Sequence, residues 1–415
     1  MTRLPRLAAL AIVCGLSWPS TAQANVVTYW NEVANQAVAA AVVGRPGPPG
    51  LLDLALVHAA MHDAVQAIDG RYEPYFASIP GAEGSTEAAA AAAAYGVLAG
   101  LYPLQRPGPT GLDQKYANYL AANSLGGNPG LAVGDEAAAA LLTQYRPLIP
   151  LPAYLGGPEP GQWRPTPPAN ASGAFEFLRY TKPFTLLRPS QFRPDPPPPL
   201  TSGDYLRDYN EVKELGALTG STRTAAQTDQ AHFWSDNFIA QWNRALRAIA
   251  EAHVPDIGDS ARLFALASLA AADAAITAWE SKYHFSFWRP ITAIREGDAD
   301  GNAETVGDPA WTSLIATPPY PDYTSGANNL TGAFTRILEL FFGTDEFSFS
   351  VTSNAPLAVQ KTRDFARFSQ AAQEVVEARV YLGIHFRFAD TAARAQGRRV
   401  AHWAFMRFLR PVPGS

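Results

Sequence analysis

Three basic side chains and one imidazole lie in short stretches of the second half of the chain. Lys282 and Arg289 are seven residues apart, and Arg379 precedes His385 by six. Ammonium and guanidinium groups bind the oxygens of tetrahedral anions, and guanidinium can hold two oxygens at once. An imidazole can bond to the central atom of such an anion. With the hydroxyl of Ser325, these side chains predict a site for a tetrahedral oxyanion.

Local signals predict that helix ends position these groups. Pro290 predicts that a helix ends or kinks just before it. Gly383 is a natural helix stop in the third stretch. Ser325 and Gly326 precede the apolar run 330–343, which predicts a helix. The first turn of that helix would direct free backbone N–H groups at an anion.

The three stretches resemble the shared signature of the type-2 phosphatidic acid phosphatases and the vanadium-dependent haloperoxidases. That signature is Lys-x6-Arg-Pro, then Pro-Ser-Gly-His, then Ser-Arg-x5-His-x3-Asp. The first block is complete at 282–290, the second keeps 325–326, and the third keeps Arg379 and His385. Each block alone is weak, whereas three in order are specific.

Residues around the signature favour the haloperoxidase branch, in its secreted bacterial form. Trp279 and the pair Phe287-Trp288 are similar to that branch. The stretches 55–68 and 161–168 are similar to secreted bacterial members. The resemblance covers most of the chain.

The resemblance implies a role for each matching residue. His385 would coordinate vanadate, or become phosphohistidine in a phosphatase. Vanadate is the implied cofactor. Phosphate would compete with vanadate for the same site, because vanadate mimics the phosphorylation transition state. The implied anion-binding residues are Lys282, Arg289, Ser325, Gly326, Arg379 and His385, of which Lys282 and His385 are also catalytic.

Three further residues are expected around this set. Asp390 would orient and assist His385, although it lies one position later than the pattern requires. Asp236 is the expected counter-ion of Arg379. Trp279 would pack against the site or donate one hydrogen bond to it.

The chain departs from the pattern where an acid–base group is expected. Ala327 replaces the second histidine, Thr324 replaces a proline and Ala378 replaces a serine. An alanine cannot transfer protons, so the resemblance implies reduced activity, easily oxidised substrates or a substitute group. His284 is a candidate substitute, and an ordinary loop histidine is the alternative.

Three functions therefore stay open. The first is a vanadium-dependent haloperoxidase-like enzyme that oxidises halide with hydrogen peroxide. The second is a secreted acid phosphatase acting on phosphate esters through phosphohistidine. The third is a phosphate- or vanadate-binding protein that has lost turnover through Ala327. The sequence leaves a homo-oligomer open.

The N-terminus and the composition restrict the cellular setting. Residues 1–24 predict a signal peptide, with a basic start, a short apolar core and a small-x-small end, so we expect a secreted or periplasmic protein. Cys14 is the only cysteine, which excludes disulfides and thiolate metal sites from the mature chain. Removing Arg3 and Arg6 changes the formal net charge from −5 to −7. No basic run appears, which argues against nucleic-acid and anionic-membrane partners, and the apolar core of the leader is too short for a membrane span.

Apolar periodicity predicts an all-α fold. The resemblance implies the helical bundle fold of the haloperoxidases and phosphatases, with two packed helix bundles and a Pro-rich irregular segment between them. The predicted regions are 25–145, the connecting segment 146–200 and the C-terminal domain 201–415 with the anion site. The connecting segment is either a solvated linker or an ordered segment packed over the bundle. The predicted helices are 51–68, 85–101, 134–145, 201–214, 224–253, 259–284, 325–342, 359–382 and 389–409.

Two other patterns have metal-like spacing. His58 and His62 lie at i and i+4, but the glutamate of a zinc motif is absent, so we expect core or hydrogen-bonded histidines. The loop 297–305 is rich in oxygen ligands. Its glycine is misplaced for calcium and no glutamate closes it, which favours a plain turn.

Overall fold

The computed structural model describes residues 25–41 and 47–414; the predicted signal peptide lies outside them. Helix makes up 55% of the structure and the described strands form one hairpin, which confirms the all-α class. The helices of the first half are α1 Val26–Ala40, α2 Pro48–Asp69, α3 Thr86–Leu101, α4 Leu112–Ala122 and α5 Gly130–Leu142. Those of the second half are α6 Gly203–Leu215, α7 Ala225–Phe233, α8 Phe238–His253, α9 Ile257–Phe285, α10 Pro290–Arg295, α11 Gly326–Phe342, α12 Phe368–Tyr381 and α13 Arg387–Arg407.

The helix α9 is the centre of the fold. It packs against α2 from the first half and against α11 and α13 from the second. Its many alanines let neighbouring helices approach closely, and its interior residues are almost all buried. One apolar core therefore extends from Val26 to Leu409.

The helix α2 is buried on all sides, as its apolar composition predicts. His58 and His62 are fully buried within it. His58 Nε2 accepts a hydrogen bond from Asn31 Nδ2 at 2.8 Å, and His62 Nε2 lies 3.0 Å from the Glu73 carbonyl. These contacts confirm hydrogen-bonded core histidines.

The irregular segment 146–200 is packed over the bundle and is not a solvated linker. Trp163 is fully buried. The backbone N–H groups of Phe184, Thr185 and Leu186 all donate to the Asp273 carboxylate on α9. This carboxylate fixes the segment to the central helix, because three donors satisfy a buried charge that would otherwise be costly.

Two predicted helices are wrong in extent. The predicted helix 224–253 is interrupted after Phe233, because the Asn237 side chain caps a new helix by accepting from the N–H groups of Ile239 and Ala240. The predicted helix 359–382 begins only at Phe368.

A β-hairpin precedes that second helix. Strands β1 Glu346–Thr352 and β2 Thr362–Arg367 pair antiparallel. Phe349 packs against Phe365 and Phe368, with ring centroids 5.6 and 5.2 Å apart. The prediction that no useful strand pattern exists missed the alternation of apolar residues in β1.

Two features bear on the remaining expectations. The helices α2 and α9 are long and apolar enough to cross a bilayer, but 89% and 100% of their apolar windows are buried in the fold, as in core helices. In the loop 297–305, Asp300 accepts from the Asn302 N–H and the Thr305 hydroxyl, and Asp298 accepts from the Gly307 N–H. These hydrogen bonds are those of a turn.

Candidate functional site

The residues of the signature come together where five helices end or begin. Lys282 is in the last turn of α9, and Arg289 is the N-cap of α10. Ser325 is the N-cap of α11. Arg379 is in the last turn of α12, and His385 lies in the turn before α13. All five are buried, with at most 8% of the residue surface exposed.

The predicted breaks produce this arrangement. The helix α9 ends at Ser286, which is left-handed and donates its N–H to the Lys282 carbonyl. Pro290 is the first residue of α10, and the helix end predicted just before it lies at Phe285. Gly383 has a φ of +75°, and a Cβ there would lie 2.3 Å from the Gly216 carbonyl oxygen. Glycine is required at this turn, which places His385 opposite Arg289.

Lys282 is held by backbone carbonyls. Its Nζ donates to the oxygens of Pro321 at 2.7 Å and Asp322 at 3.0 Å. The Tyr320 ring lies 4.9 Å from the same Nζ. An ammonium group has three donors, so one is left for a ligand. Burial lowers the pKa of Lys282 well below its ordinary range, and the nearby charge of Arg289 lowers it further.

The two arginines also have donors to spare. Arg289 donates to the carbonyls of Tyr320 at 2.8 Å and Ile384 at 2.6 Å, while its buried Nη2 has no partner among the described residues. Arg379 makes a long contact of 3.5 Å to the Trp234 carbonyl, and its buried Nε has no partner in the same part of the chain. Buried unpaired N–H groups are unfavourable, and an anion would satisfy them.

The imidazole of His385 is oriented by Asp322. His385 Nδ1 lies 2.6 Å from Asp322 Oδ1, and the Arg289 Nη1 lies 3.2 Å from His385 Nε2. The proton of a neutral ring therefore sits on Nδ1, and the lone pair on Nε2 faces the cations. Burial lowers the pKa of His385 well below 6.5, and Arg289 adds to this effect. Burial raises the pKa of Asp322 to about 7.

The prediction that Asp390 orients His385 is therefore wrong. Asp390 accepts a hydrogen bond from Asn328 Nδ2 at 2.8 Å. Burial raises its pKa to about 8, while the Ser325 hydroxyl and Arg379 lower that pKa by less. The extra residue in the chain after His385 moves Asp390 away from the ring. The sequence carried no local signal for Asp322, because its contact spans more than sixty positions.

The prediction that Asp236 pairs with Arg379 is also wrong. Asp236 forms an ion pair with Arg244 and accepts from the Asn354 N–H at 2.8 Å. Arg244 lies on α8, eight residues after Asp236, and its guanidinium takes this carboxylate. Arg379 instead packs against the Phe238 ring at 5.3 Å.

The N-terminus of α11 approaches the site closely. A Cβ on Gly326 would lie 3.0 Å from the indole of Trp279 and 4.0 Å from Lys282 Cε. Trp279 donates its Nε1–H to the Ala174 carbonyl at 3.1 Å. Gly326 and Ala327 occupy the first turn, where backbone N–H groups have no acceptor within the helix.

A cavity of about 230 Å³ opens onto these groups. The residues that line it include Gly326, Ala327, Arg379 and His385. His284 does not line this cavity. It is exposed and lies near Arg193 and Glu280, whose charges act on its pKa.

The part of the chain that carries this cluster matches a known domain. Residues 262–414 match the family model described as the VCPO second helical-bundle domain. Over 91% of its length, the chain is 26% identical to the vanadium chloroperoxidase of Curvularia inaequalis, of which it covers 81%. The chain is related to the vanadium haloperoxidases. This relationship confirms the resemblance predicted from the sequence.

Solved haloperoxidase structures share the fold. The first bacterial vanadium-dependent iodoperoxidase superimposes with a TM-score of 0.74 at 23% identity, covering 93% of this chain and 96% of that one. A holo-type bacterial vanadium-dependent chloroperoxidase gives a TM-score of 0.72 at 18% identity, covering 92% and 97%. The coverage extends the shared haloperoxidase fold to α1–α8, beyond the matched second bundle.

Within this haloperoxidase relative, the buried donor set fits a tetrahedral oxyanion such as vanadate. Three cations face one imidazole nitrogen, two guanidinium N–H groups are unpartnered, and Gly326 leaves space beside Lys282. The two carboxylates of the cluster, Asp322 and Asp390, have raised pKa values and so oppose an anion less than ionised groups would.

Proposed function

We propose that this protein is a vanadium-dependent haloperoxidase-like enzyme that oxidises halide with hydrogen peroxide. The observation that carries the proposal is the clustering of the buried Lys282, Arg289 and Arg379 around His385, whose Nε2 lies 3.2 Å from Arg289 Nη1, beside a cavity of about 230 Å³. We propose export as well, with cleavage of the leader after Ala24.

Each group has a task in holding the cofactor. Arg289 and Arg379 would bind vanadate oxygens through their unpartnered N–H groups, and the third N–H of Lys282 would bind another. Ser325 adds a hydroxyl and Gly326 a backbone N–H. His385 Nε2 would bond to vanadium. When bound, vanadate supplies a Lewis acid that activates hydrogen peroxide towards halide without a change of oxidation state.

The surrounding residues hold these groups in position before the anion binds. Asp322 holds the Nδ1 proton of His385, which fixes the ring and raises the basicity of Nε2. The carbonyls of Pro321 and Asp322 fix the Lys282 ammonium, so little reorganisation is needed when the anion arrives. Burial excludes water, which strengthens each contact with the anion.

Proton transfer needs a group other than residue 327. Asp390 is buried, and its pKa of about 8 keeps its carboxyl largely protonated at neutral pH. Asp390 accepts a hydrogen bond from Asn328 Nδ2 and is hydrogen-bonded to the Ser325 hydroxyl, at the N-terminus of α11. We infer that Asp390 holds the proton and that the Ser325 hydroxyl passes it towards the bound oxygens. A general acid is most effective when its pKa lies near the working pH.

The test combines binding and turnover. Purified protein is titrated with orthovanadate and assayed for iodide and bromide oxidation with hydrogen peroxide, and in parallel for phosphate-ester hydrolysis without vanadate. We expect vanadate-dependent halide oxidation that phosphate inhibits and that His385→Ala abolishes. His284→Ala is the matched control, because this histidine is exposed and outside the cavity.

Other outcomes select the alternatives. Ester hydrolysis without halide oxidation would indicate the phosphatase that shares this site. Tight vanadate binding without either activity would indicate a binding protein. Absence of binding would overturn the proposal.

A further inference from the structure

The lining of the cavity at the anion site combines two kinds of side chain. Among the described lining residues, Arg379 and His385 are the only ones with a basic or acidic side chain. Leu51 of α2, Phe238 of α8 and Leu330 of α11 supply apolar wall, and the Phe238 ring lies 5.3 Å from the Arg379 guanidinium. A small inorganic anion needs only the basic groups, so the apolar wall beside them is left for another part of a ligand.

Three of the apolar lining residues are held in place by their surroundings. Leu51 and Leu330 are 4% and 5% exposed, so both are fixed by packing. The Trp279 indole is anchored by its hydrogen bond to the Ala174 carbonyl and by edge contact with Phe175 at 6.0 Å. Walls of this kind present a preformed apolar surface, as small-molecule sites do.

Ala327 belongs to the same lining as the basic and the apolar residues. It lies in the cavity wall, one helical turn before Leu330 on the same face of α11. A methyl group here leaves space that an imidazole would fill. The loss of an acid–base side chain is thus also a gain of apolar volume beside the anion.

The space is large enough for an organic group. A dry cavity of about 150 Å³ lined by apolar side chains accommodates benzene. The cavity here has a volume of about 230 Å³, which is larger, and this volume includes the space beside Arg379 and His385. We propose that this cavity binds an aryl group of the organic substrate against Leu51, Phe238 and Leu330, next to the oxyanion. The proposal rests on the proposed function, because it assigns the substrate class of the same site.

Two kinds of substrate have this chemistry. In a haloperoxidase the aryl compound would be the acceptor that is halogenated beside the anion. In a phosphatase it would be the leaving group of an aryl phosphomonoester. Both require an aryl group in contact with the apolar walls.

Binding to protein without vanadate gives a direct test. Phenylphosphonate and methylphosphonate carry the same head group, so calorimetry with each isolates the contribution of the ring. Burying an aromatic side chain contributes about 1.5–3 kcal/mol, so we expect phenylphosphonate to bind about ten- to a hundred-fold more tightly. Ala327→Leu should remove this advantage and leave methylphosphonate affinity within about threefold, and circular dichroism checks that the variant folds.

The outcomes separate the two proposals. Equal affinity for both phosphonates in the unmodified protein would overturn the aryl site and leave the anion site in place. Failure of both phosphonates and of phosphate to bind would overturn the proposed function itself.

Turnover then identifies the source of the aryl group. Hydrolysis of phenyl phosphate that Ala327→Leu slows supports the ester. Vanadate-dependent bromination whose KM for an aryl acceptor rises in Ala327→Leu supports the acceptor. Indifference of both activities to Ala327→Leu would overturn the assignment.

Discussion

His385 Nδ1 lies 2.6 Å from Asp322 Oδ1, and this contact joins two helix-terminal turns that are far apart in the sequence. It sets the tautomer of the ring and directs Nε2 at Arg289 and the cavity. Asp322 is thus a positioning residue that acts through His385.

Replacing Asp322 by Asn removes the charge that holds the Nδ1 proton. Partners of this kind typically contribute ten- to a hundred-fold to metal affinity or activity. We expect orthovanadate affinity to fall about ten- to a hundred-fold, measured by calorimetry at pH 8. Asp204→Asn, at an exposed carboxylate, is the control. Unchanged affinity in Asp322→Asn would show that the ring is positioned without Asp322.

Arg289→Ala and Arg379→Ala each remove charge-assisted contacts to the anion. The expected loss is about 1.5–3 kcal/mol, or about ten- to a hundred-fold in vanadate affinity. Lysine at either position should restore only part of it, because it lacks the bidentate fork. Arg244→Ala should leave affinity unchanged, because Arg244 pairs with Asp236 outside the site. Full affinity in both alanine variants would place the anion elsewhere.

Ala327→His restores the histidine of the family pattern. General acid–base help typically contributes about 10²–10⁴-fold to rate, so we expect at least a tenfold rise in bromide oxidation or phosphate-ester hydrolysis with little change in vanadate affinity. Steady-state kinetics and calorimetry measure the two effects separately. A variant slower than the parent would show that another group already transfers the proton.

Asp390→Asn tests that other group. The change is nearly isosteric and removes the proton that we assign to the carboxyl. We expect kcat to fall about a hundredfold while vanadate affinity changes by less than threefold, because Asp390 is largely neutral at pH 7. The pH–rate profile should also lose an inflection near pH 8. Retention of that inflection would exclude Asp390.

Anion affinity should fall as the pH rises. Sulfate is a suitable probe, because its charge stays constant between pH 6 and 9. Over this range Asp322 and Asp390, with pKa values of about 7 and 8, become negative. Each change removes positive potential from the site, which also contains Arg289 and Arg379. Calorimetry at several pH values should show a monotonic loss, and constant affinity would contradict these shifts.

The chemistry of the site was more predictable from the sequence than its supporting contacts. Lys282, Arg289, Arg379 and His385 converge because α9 ends before Pro290 begins α10, and because the turn at Gly383 follows the end of α12. The partners of these groups were not predictable, because Asp322, Asp390 and Asp236 are all acidic residues near the signature. Which side chain each carboxylate contacts depends on how the turns pack together in three dimensions.

The same distinction applies to the fold. Long apolar helices such as α9 were evident from composition, because every face is buried. The break at Asn237 and the hairpin at 346–367 were missed. A short polar residue can cap a helix or lie within one, and the short alternating run of β1 becomes a strand only when Phe365 is available opposite Phe349.

The helix ends that would hold the anion all belong to the second bundle, whereas Leu51 and Phe238 in the cavity wall come from chain outside it. The proposed substrate wall is therefore shared between the two parts of one gene, because Leu330 of the same wall lies in the second bundle. Substitutions in α2 or α8 can change which compounds are accepted without altering any charged group. Directed evolution aimed at new substrates should therefore begin with libraries at these two helices.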